Sequence, residues 1–229
     1  MNRVGVVTGM AAEARCLPRP AAGDGPVAVC SGGDAARAVD LARELVASGA
    51  EALLSFGIAG GLAPSLETGA VVVADAVIGI GGTRRETDSA WRKALCDALT
   101  VFEPRGGAVA GSAQAVVSPR AKRELFATTD ACIVDLESEA VARAAGDGGV
   151  PFAVLRVVAD TAGRTLPGAA LAGLGAGGRL RPGAVLAGLA KRPWETPGVV
   201  MLARDTARAL AVLGRAASAV EPLLRRGPA

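Results

Sequence analysis

The fold is decided by residues 134–161, which read VDLESEAVARAAGDGGVPFAVLRVVADT. A short apolar run ends in acidic residues, an alanine-rich helix and a Gly-Gly turn follow, and a second apolar run, FAVLRVVAD, ends at Asp160. This second run is rich in Val, short for a free-standing helix and set off by Pro151 and the glycines before it, so it predicts a strand. Strand, helix and strand in this order are typical of an α/β sheet.

Both apolar runs place carboxylates at their C-terminal ends, Glu137 after the first and Asp160 at the close of the second. Small ligands bind outside the carboxyl ends of the strands in open α/β sheets, so two acids on adjacent strand ends predict a ligand site. Taken singly, each acid has an ordinary structural explanation. Asp160 fits a cap or turn residue, and Glu137 fits an acid at the start of a helix over Ser138–Ala145.

Strands and helices alternate along the chain as far as Asp160. The pattern predicts a central twisted mixed β-sheet flanked by helices on both faces, with a helical C-terminal segment. We expect one domain over residues 1–229, in which 1–163 form the catalytic core and 164–229 a helical extension of the same domain. The specific expectations are strands near 4–7, 27–30, 70–79, 108–110 and 114–117, a strand followed by a glycine-rich loop within 52–70, helices over Ala35–Ser48, Ser89–Leu99 and Pro119–Phe126, and breaks in the tail at the glycines of 173–178 and at Pro182, Pro193 and Pro197.

A glycine-rich segment follows the strand that begins at residue 52, and the N–H groups of such a loop are suited to cradling an anion. The segment lacks the Gly-Lys-Ser/Thr ending of a Walker loop, and a structural turn explains it equally well. The polar loop 79–88 contains Arg84 and Arg85, which are suited to phosphate but also to an ordinary surface loop.

The composition excludes several kinds of chemistry. The chain has no histidine and no tyrosine, which excludes a histidine-dependent triad and leaves acid–base work to Asp and Glu. Its four cysteines are far apart and form no C-x-x-C pair, which argues against a disulfide framework or a zinc knuckle. We therefore expect a reducing cytoplasm, no metal and no organic cofactor. The first residues lack the basic region and long apolar segment of a signal peptide, so none is expected. No run reaches 18 apolar residues, so no membrane span is expected either.

Charge is distributed unevenly along the chain. Residues 164–229 carry ten Lys or Arg against three acids, +7, which leaves the first 163 residues at −4. A basic tail is commonly a solvated helix face. The alternative is peripheral contact with the inner face of an anionic membrane, where each cation contributes about 1 kcal/mol. Nucleic acid is not expected as a partner, because the tail has one aromatic residue and so no stacking platform.

Three blocks resemble the purine nucleoside phosphorylase and uridine phosphorylase superfamily, and within it the methylthioadenosine/S-adenosylhomocysteine nucleosidases. The blocks are VGVVTGMAAEA (4–14), GIAGGLAPSLETGAVVVAD (57–75) and VDLESEAVARAA with GVPFAVLRVVADTA (134–162). The resemblance implies that Glu13 activates the attacking water, that Glu137 binds ribose hydroxyls and that Asp160 protonates the purine at N7. It also implies that Arg156 lies near the active site and holds a carboxylate in place.

The chemistry of glycosidic cleavage requires such a set of acids. Breaking a ribose C1′–N9 bond passes through an oxocarbenium-like state, so the purine must leave as a neutral base and the sugar cation needs negative charge nearby. A well-placed general acid contributes about 10²–10⁴-fold in rate.

The chain also departs from this pattern. Ile58 stands where the family has Ser or Thr, so the hydroxyl that would contact phosphate or water is missing. Gln114 stands where an aromatic residue stacks on adenine in the nucleosidases, and Ala159 replaces a serine beside the general acid. We expect Ile58, Gly60 and Gln114 to border the substrate and base recognition to differ from that of the nucleosidases.

The remaining segments resemble the hopanoid-associated phosphorylase group, namely the loop GGTRRETD (81–88) and the stretch 165–193 with the helix after it. That resemblance implies cleavage of adenosylhopane, a lipid-linked adenosine, to adenine and ribosyl- or phosphoribosyl-hopane in hopanoid biosynthesis. It leaves open whether water or inorganic phosphate, as a co-substrate, attacks. The alternatives are a nucleosidase or phosphorylase acting on soluble nucleosides and a nucleoside-binding protein without catalysis. A homodimer is expected from the family.

Overall fold

The computed structural model describes residues 3–18, 25–173 and 181–228. Within these ranges the strands form one nine-stranded mixed sheet. The strands are β1 (Val4–Thr8), β2 (Val27–Cys30), β3 (Ala52–Gly61), β4 (Val71–Val73), β5 (Ala76–Ile78), β6 (Arg84–Glu86), β7 (Ala108–Gly111), β8 (Ile133–Asp135) and β9 (Phe152–Asp160). The helices are α1 (Ala11–Ala14), α2 (Ala35–Ala47), α3 (Ser89–Ala98), α4 (Pro119–Thr129), α5 (Ser138–Gly148), α6 (Gly168–Leu171), α7 (Pro182–Lys191) and α8 (Thr196–Arg226), with 3₁₀ turns at Thr100–Phe102 and Pro193–Glu195.

Strand β3 lies at the centre of the sheet. The hydrogen-bonded order is β2-β1-β3-β8-β7-β5-β6, and β9 pairs with β3 and with β4. β1 and β9 both run parallel to β3, β1 against its first half and β9 along most of its length. All nine residues of β9 are buried, as expected for a strand covered on both faces.

Helices cover both faces of the sheet, as predicted from the sequence. Successive side chains of β9 point to opposite faces, and each face has its own core. Leu155 packs in a cluster with Leu213 of α8, whereas Val154 packs in a second cluster with Val39 of α2 and Val141 of α5. The C-terminal helix is thus part of the main hydrophobic core.

Strand β8 does not follow the prediction that the two acidic runs lie on adjacent strand ends. β9 occupies one edge of β3, and β8 pairs with Gly60 and Gly61 on the other edge, beyond the end of β1. β8 is also antiparallel to β3, so its carboxyl end points back along β3. The acids that follow β8 therefore approach the middle of β3 rather than its end.

Three local predictions were wrong. Residues 70–79 form two strands, β4 and β5, because the chain bends at Asp75, whose carboxylate accepts a hydrogen bond from the Gly107 N–H (3.1 Å). Residues 114–117 form no strand, since the Ser112 hydroxyl donates to the carbonyl of Gln114 (2.6 Å) and closes a local turn. The polar loop 79–88 contains the short strand β6, which pairs with β5.

The tail was predicted correctly as helical, and two of its expected breaks are confirmed, since α7 begins at Pro182 and the second 3₁₀ turn begins at Pro193. Pro197 lies in the first turn of α8 and does not interrupt it, because the first N–H groups of a helix have no intrahelical partner to lose. The expected break at residues 173–178 lies almost wholly outside the described residues. No helix in the described part of the chain is both long and apolar enough to cross a membrane.

Candidate active site

Glu13 is a buried carboxylate that joins α1 to β3. The chain turns at Gly9 after β1, and Glu13 then folds back over this turn with 2% of its surface exposed. Its Oε2 accepts hydrogen bonds from the N–H groups of Gly9 and Met10, both at 2.8 Å. Its Oε1 accepts a third from the N–H of Ile58 at 2.9 Å. Backbone donors from two elements therefore fix its orientation.

Arg156 lies in the middle of β9 and is fully buried. Its Nε lies 2.7 Å from Oδ2 of Asp135, and its Nη2 lies 3.4 Å from Oε2 of Glu137. Nη2 also donates to the Ser55 hydroxyl at 2.7 Å. One guanidinium thus holds two carboxylates from the segment that follows β8.

Asp135 serves mainly to fix the start of α5. The Ser138 N–H donates to its Oδ1 at 2.9 Å and the Ser138 hydroxyl bonds to its Oδ2. The same hydroxyl reaches the Ser55 hydroxyl at 3.0 Å. Every oxygen of Asp135 is occupied within the protein, so this acid positions Arg156 rather than a ligand.

Glu137 has one oxygen on Arg156, and the other accepts a hydrogen bond from the Ser31 hydroxyl at 3.3 Å. Glycines make room for this packing. A Cβ at Gly9 would lie 2.5 Å from Oε1 of Glu137, and a Cβ at Gly57 would lie 2.6 Å from Oε1 of Glu13. The two glutamates can share the space beside Arg156 only because these positions carry no side chain.

Asp160 ends β9, and its partner is a residue that was not predicted from the sequence. Lys122 of α4, itself fully buried, forms an ion pair with Oδ2 of Asp160 and donates to the carbonyl of Thr161 at 2.7 Å. Lys122 lies on the inward face of α4 with Leu125, Phe126 and Thr129. A lysine on the apolar stripe of a helix was the signal that could have identified it.

Burial is the largest influence on the pKa of all three candidate acids. Burial raises the pKa of Glu13, of Glu137 and of Asp160, since a charged carboxylate is poorly solvated inside the protein. Arg156 works against this for Glu13 and Glu137, and Lys122 does so for Asp160. The pKa of Glu137 is raised to about 7, with Asp135 and Glu13 adding to the effect of burial. A carboxyl group whose pKa is raised in this way is better suited to holding and giving up a proton than an ordinary exposed one.

Of the three residues expected to border the substrate, two lie beside the buried carboxylates and one does not. Gly60 pairs with Asp160 across the sheet, and a Cβ at Gly60 would lie 3.5 Å from the aspartate Oδ2. Ile58 gives its N–H to Glu13 and packs its half-buried side chain against the core. Gln114 is exposed, and its backbone forms hydrogen bonds with the Ser112 hydroxyl. The structure brings Glu13, Glu137, Arg156, Ile58, Gly60 and Asp160 to the C-terminal half of β3, and it does not bring Gln114 into contact with them.

No group of three or more His, Cys, Asp or Glu residues in the described ranges is arranged to hold a metal ion. The charged side chains that the structure places at this site are carboxylates and two buried cations, Arg156 and Lys122. A strand residue advances about 3.3 Å, so Ile58, which holds Glu13, and Gly60, which faces Asp160, are about 7 Å apart along β3.

The sequence and the fold match known proteins. The model of the phosphorylase superfamily matches residues 7–172. The fold is similar to that of 5′-methylthioadenosine/S-adenosylhomocysteine nucleosidase from Neisseria meningitidis in complex with methylthio-immucillin-A, with a TM-score of 0.72 and 17% identity over 97% of this chain and 100% of that one. It is also similar to futalosine hydrolase from Helicobacter pylori, with a TM-score of 0.62 and 20% identity over 70% of this chain and 88% of that one. No curated protein matches the sequence.

Proposed function

Since the chain belongs to the phosphorylase superfamily, we propose that it cleaves the N-glycosidic bond of a purine nucleoside. The observation that carries the proposal is the placement of three buried carboxylates, Glu13, Glu137 and Asp160, around one half of β3. Each has a pKa raised by burial, and each is held by a backbone donor, a hydroxyl or a cation. No histidine competes for the acid–base role.

The roles follow from what each carboxylate can do. Asp160 gives a proton to N7 of the base, and the C1′–N9 bond breaks with its electron pair going to the base. Glu137 accepts hydrogen bonds from ribose hydroxyls and places negative charge near the sugar cation. Glu13 orients and deprotonates the attacking group. Arg156 keeps Glu137 in position through their 3.4 Å contact.

Water is the nucleophile that the site favours. Ile58 offers a backbone N–H that Glu13 already uses, and its side chain cannot hydrogen-bond to an anion. Nε and Nη2 of Arg156, the nearest cation to Glu13 and Glu137, contact carboxylates, and its buried Nη1 has no hydrogen-bond partner among the described residues. Phosphate would therefore find few free donors here.

We propose that the nucleoside is lipid-linked, with adenosylhopane as the expected substrate. Four large apolar residues with more than two fifths of their surface exposed, Leu186, Trp194, Val200 and Met201, lie in α7, the second 3₁₀ turn and the start of α8. We call these four residues the apolar tail surface. Met201 contacts Arg164, four residues beyond Asp160, so the surface lies close to the exit of β9.

Cations border the apolar tail surface. Lys191, Arg192 and Arg204 are exposed on the same segments, and this combination suits peripheral contact with an anionic membrane. Sedimentation with anionic and with neutral vesicles would test this contact. We expect binding to the anionic vesicles only and its loss on Trp194→Glu. Equal sedimentation with both vesicles, or no loss in the variant, would contradict the membrane role.

The reaction is tested by release of free base from purified protein. Adenosylhopane in detergent and methylthioadenosine in buffer would each be incubated with and without phosphate, and adenine would be measured by chromatography. We expect adenine from adenosylhopane without phosphate, and a loss of at least about 100-fold in Asp160→Asn. Asp97→Asn, a change at an exposed salt bridge, is the matched control and should keep full activity.

The other outcomes identify the alternatives. Cleavage of methylthioadenosine alone would make the protein a nucleosidase of soluble nucleosides, a role favoured by the fold similarity to the Neisseria meningitidis enzyme. A strict requirement for phosphate would make it a phosphorylase. Tight binding of a nucleoside with no release of base from either substrate would make it a binding protein and would overturn the proposal.

A further inference from the structure

Lys122 is the most unusual charged residue in the described part of the chain outside the carboxylate set. It is fully buried in the second turn of α4, and it has two partners, the carboxylate of Asp160 and the carbonyl of Thr161. Lysine is almost never fully buried unless it is paired. Burying Lys122 requires the free energy of desolvating its ammonium group, and the group is buried where it contacts this one carboxylate.

Asp160 has few other charges around it. Arg164 follows it in the chain, and Asp205 of α8 lies behind Arg164, with 3.0 Å between Nη2 of Arg164 and Oδ2 of Asp205. From β3 only Gly60 faces the carboxylate, with no side chain. Arg164 and Asp205 largely offset each other, so Lys122 is the dominant cation acting on Asp160.

We propose that Lys122 is the charge partner of Asp160 during release of the base, holding the carboxyl in place and balancing the negative charge that forms when its proton leaves. This inference rests on the proposed function. In the reacting form Asp160 has taken up a proton from solvent, and the Lys122 ammonium, which is paired with it in the structure, donates a hydrogen bond to the neutral carboxyl. Its proton moves to N7, the C1′–N9 electron pair moves to the base, and the new carboxylate forms an ion pair with the ammonium, which keeps all its protons.

The charge of Lys122 makes Asp160 a stronger acid than burial alone would allow. Burial raises the pKa of Asp160, and Lys122 is the largest influence that lowers it. Without the ammonium, the carboxylate left after proton transfer would be buried and unpaired, which is costly. Lys122 acts through Asp160 and is a positioning residue rather than a catalytic one.

The experiment measures kcat and kcat/KM against pH for wild type, Lys122→Met and Lys122→Arg, using whichever nucleoside the wild type cleaves. We expect Lys122→Met to lower kcat about tenfold to a hundredfold and to move the alkaline limb of kcat/KM to higher pH, because Asp160 then holds its proton more tightly. Lys122→Arg should restore part of the rate and return the limb towards the wild-type position. An unmoved limb, or one at lower pH, would overturn the proposal.

A double variant distinguishes action through Asp160 from a purely structural role of Lys122. If Lys122 acts through Asp160, adding Lys122→Met to Asp160→Asn should change the residual rate of base release less than threefold. The same substitution in the wild type should lower that rate far more. Equal losses in both backgrounds would show that Lys122 supports the fold and would overturn the proposal. Absence of base release by the wild type would instead be the failure of the proposed function.

Discussion

Gly57 lies directly against the guanidinium of Arg156, so closely that a Cβ at position 57 would be 2.4 Å from Nη1. The same Cβ would lie 2.6 Å from the carboxyl carbon of Glu13. Both neighbours are fully buried or nearly so, and they are fixed by ion pairs and backbone hydrogen bonds. The central strand can therefore carry only glycine at this point.

We expect Gly57→Ala to lower the free energy of unfolding by about 1–3 kcal/mol, because the methyl group overpacks a site that cannot move aside. Activity should fall with it, since Glu13 and Arg156 are displaced together. Urea unfolding and base release measure the two effects. Gly146→Ala is the control, because Gly146 lies in α5 with no atom within 4 Å of its added Cβ. That variant should be as stable as wild type or more stable by up to about 1 kcal/mol.

Removing the charge of Arg156 should be more damaging. Arg156→Met leaves Asp135 and Glu137 buried without their counter-ion, and breaking a buried ion pair in this way costs about 3–5 kcal/mol. The loss should be larger at pH 8 than at pH 5, because Glu137, whose pKa is raised to about 7, is charged at the higher pH and then needs its counter-ion most. Arg43→Met, which breaks an exposed ion pair with Asp147, should cost less than about 1 kcal/mol. Equal costs for the two variants would refute the account of the buried cluster.

The sequence predicted the superfamily, now confirmed over residues 7–172, and the general architecture. Strand β9 was visible because its Val-rich run is buried on both faces. The helix after β8 was visible from its alanines. Strand direction was not visible, since whether β8 runs parallel or antiparallel to β3 depends on contacts far apart in the chain and leaves the local pattern of apolar residues unchanged.

The acids that the structure brings together, and Arg156 beside them, were singled out in the sequence, whereas the buried cation Lys122 was missed. Acids at strand ends stand out in a sequence, whereas Lys122 looks like any helical lysine until the packing of α4 is known. Gln114 was expected beside the substrate from the family resemblance, and the hydrogen bonds with Ser112 place it on an exposed segment. Loop conformation of this kind depends on individual hydrogen bonds that composition does not report.

The stability of the protein should depend on pH through Glu137. Its pKa in the folded protein is about 7, against an ordinary value of 4.5. The folded state therefore binds the proton more tightly than the unfolded state does. This contribution to stability is fully present below about pH 4.5 and is lost as the pH rises through 7.

We expect Glu137→Gln to remove this part of the pH dependence, which amounts to about 1–3 kcal/mol between pH 5 and pH 8. The quantity to compare is the difference in unfolding free energy between the two pH values, because the absolute stability also includes the altered contact with Arg156. Glu67→Gln at an exposed position serves as the control. A variant with the same slope as wild type would show that another group titrates in this range.

Helix α8 should contribute to the stability of the fold as well as carry part of the apolar tail surface. Leu213 is fully buried against β9, so Leu213→Ala should lower the unfolding free energy by about 2–5 kcal/mol. Leu186→Ala on α7, where the side chain is 66% exposed, should change it by less than about 0.5 kcal/mol. Similar values for the two would mean that α8 is not part of the cooperative core.

The last prediction concerns Glu13 and the identity of the nucleophile. Glu13→Gln keeps the size of the side chain, but an amide nitrogen cannot accept the backbone hydrogen bonds that now hold the carboxylate, and it cannot take a proton from water. If water attacks, the rate of base release should fall about 10²–10⁴-fold. If phosphate attacks, no proton needs to be removed from the nucleophile, and the variant should keep most of its rate whenever phosphate is present. Incorporation of ¹⁸O from labelled water into the sugar product, measured by mass spectrometry, would identify the attacking atom directly. A large loss in Glu13→Gln with labelled sugar in the wild type would assign water activation to Glu13. A small loss with unlabelled sugar phosphate as the product would mean that Glu13 only supports the turn at Gly9, and that the anion binds to donors other than those of the Ile58 segment.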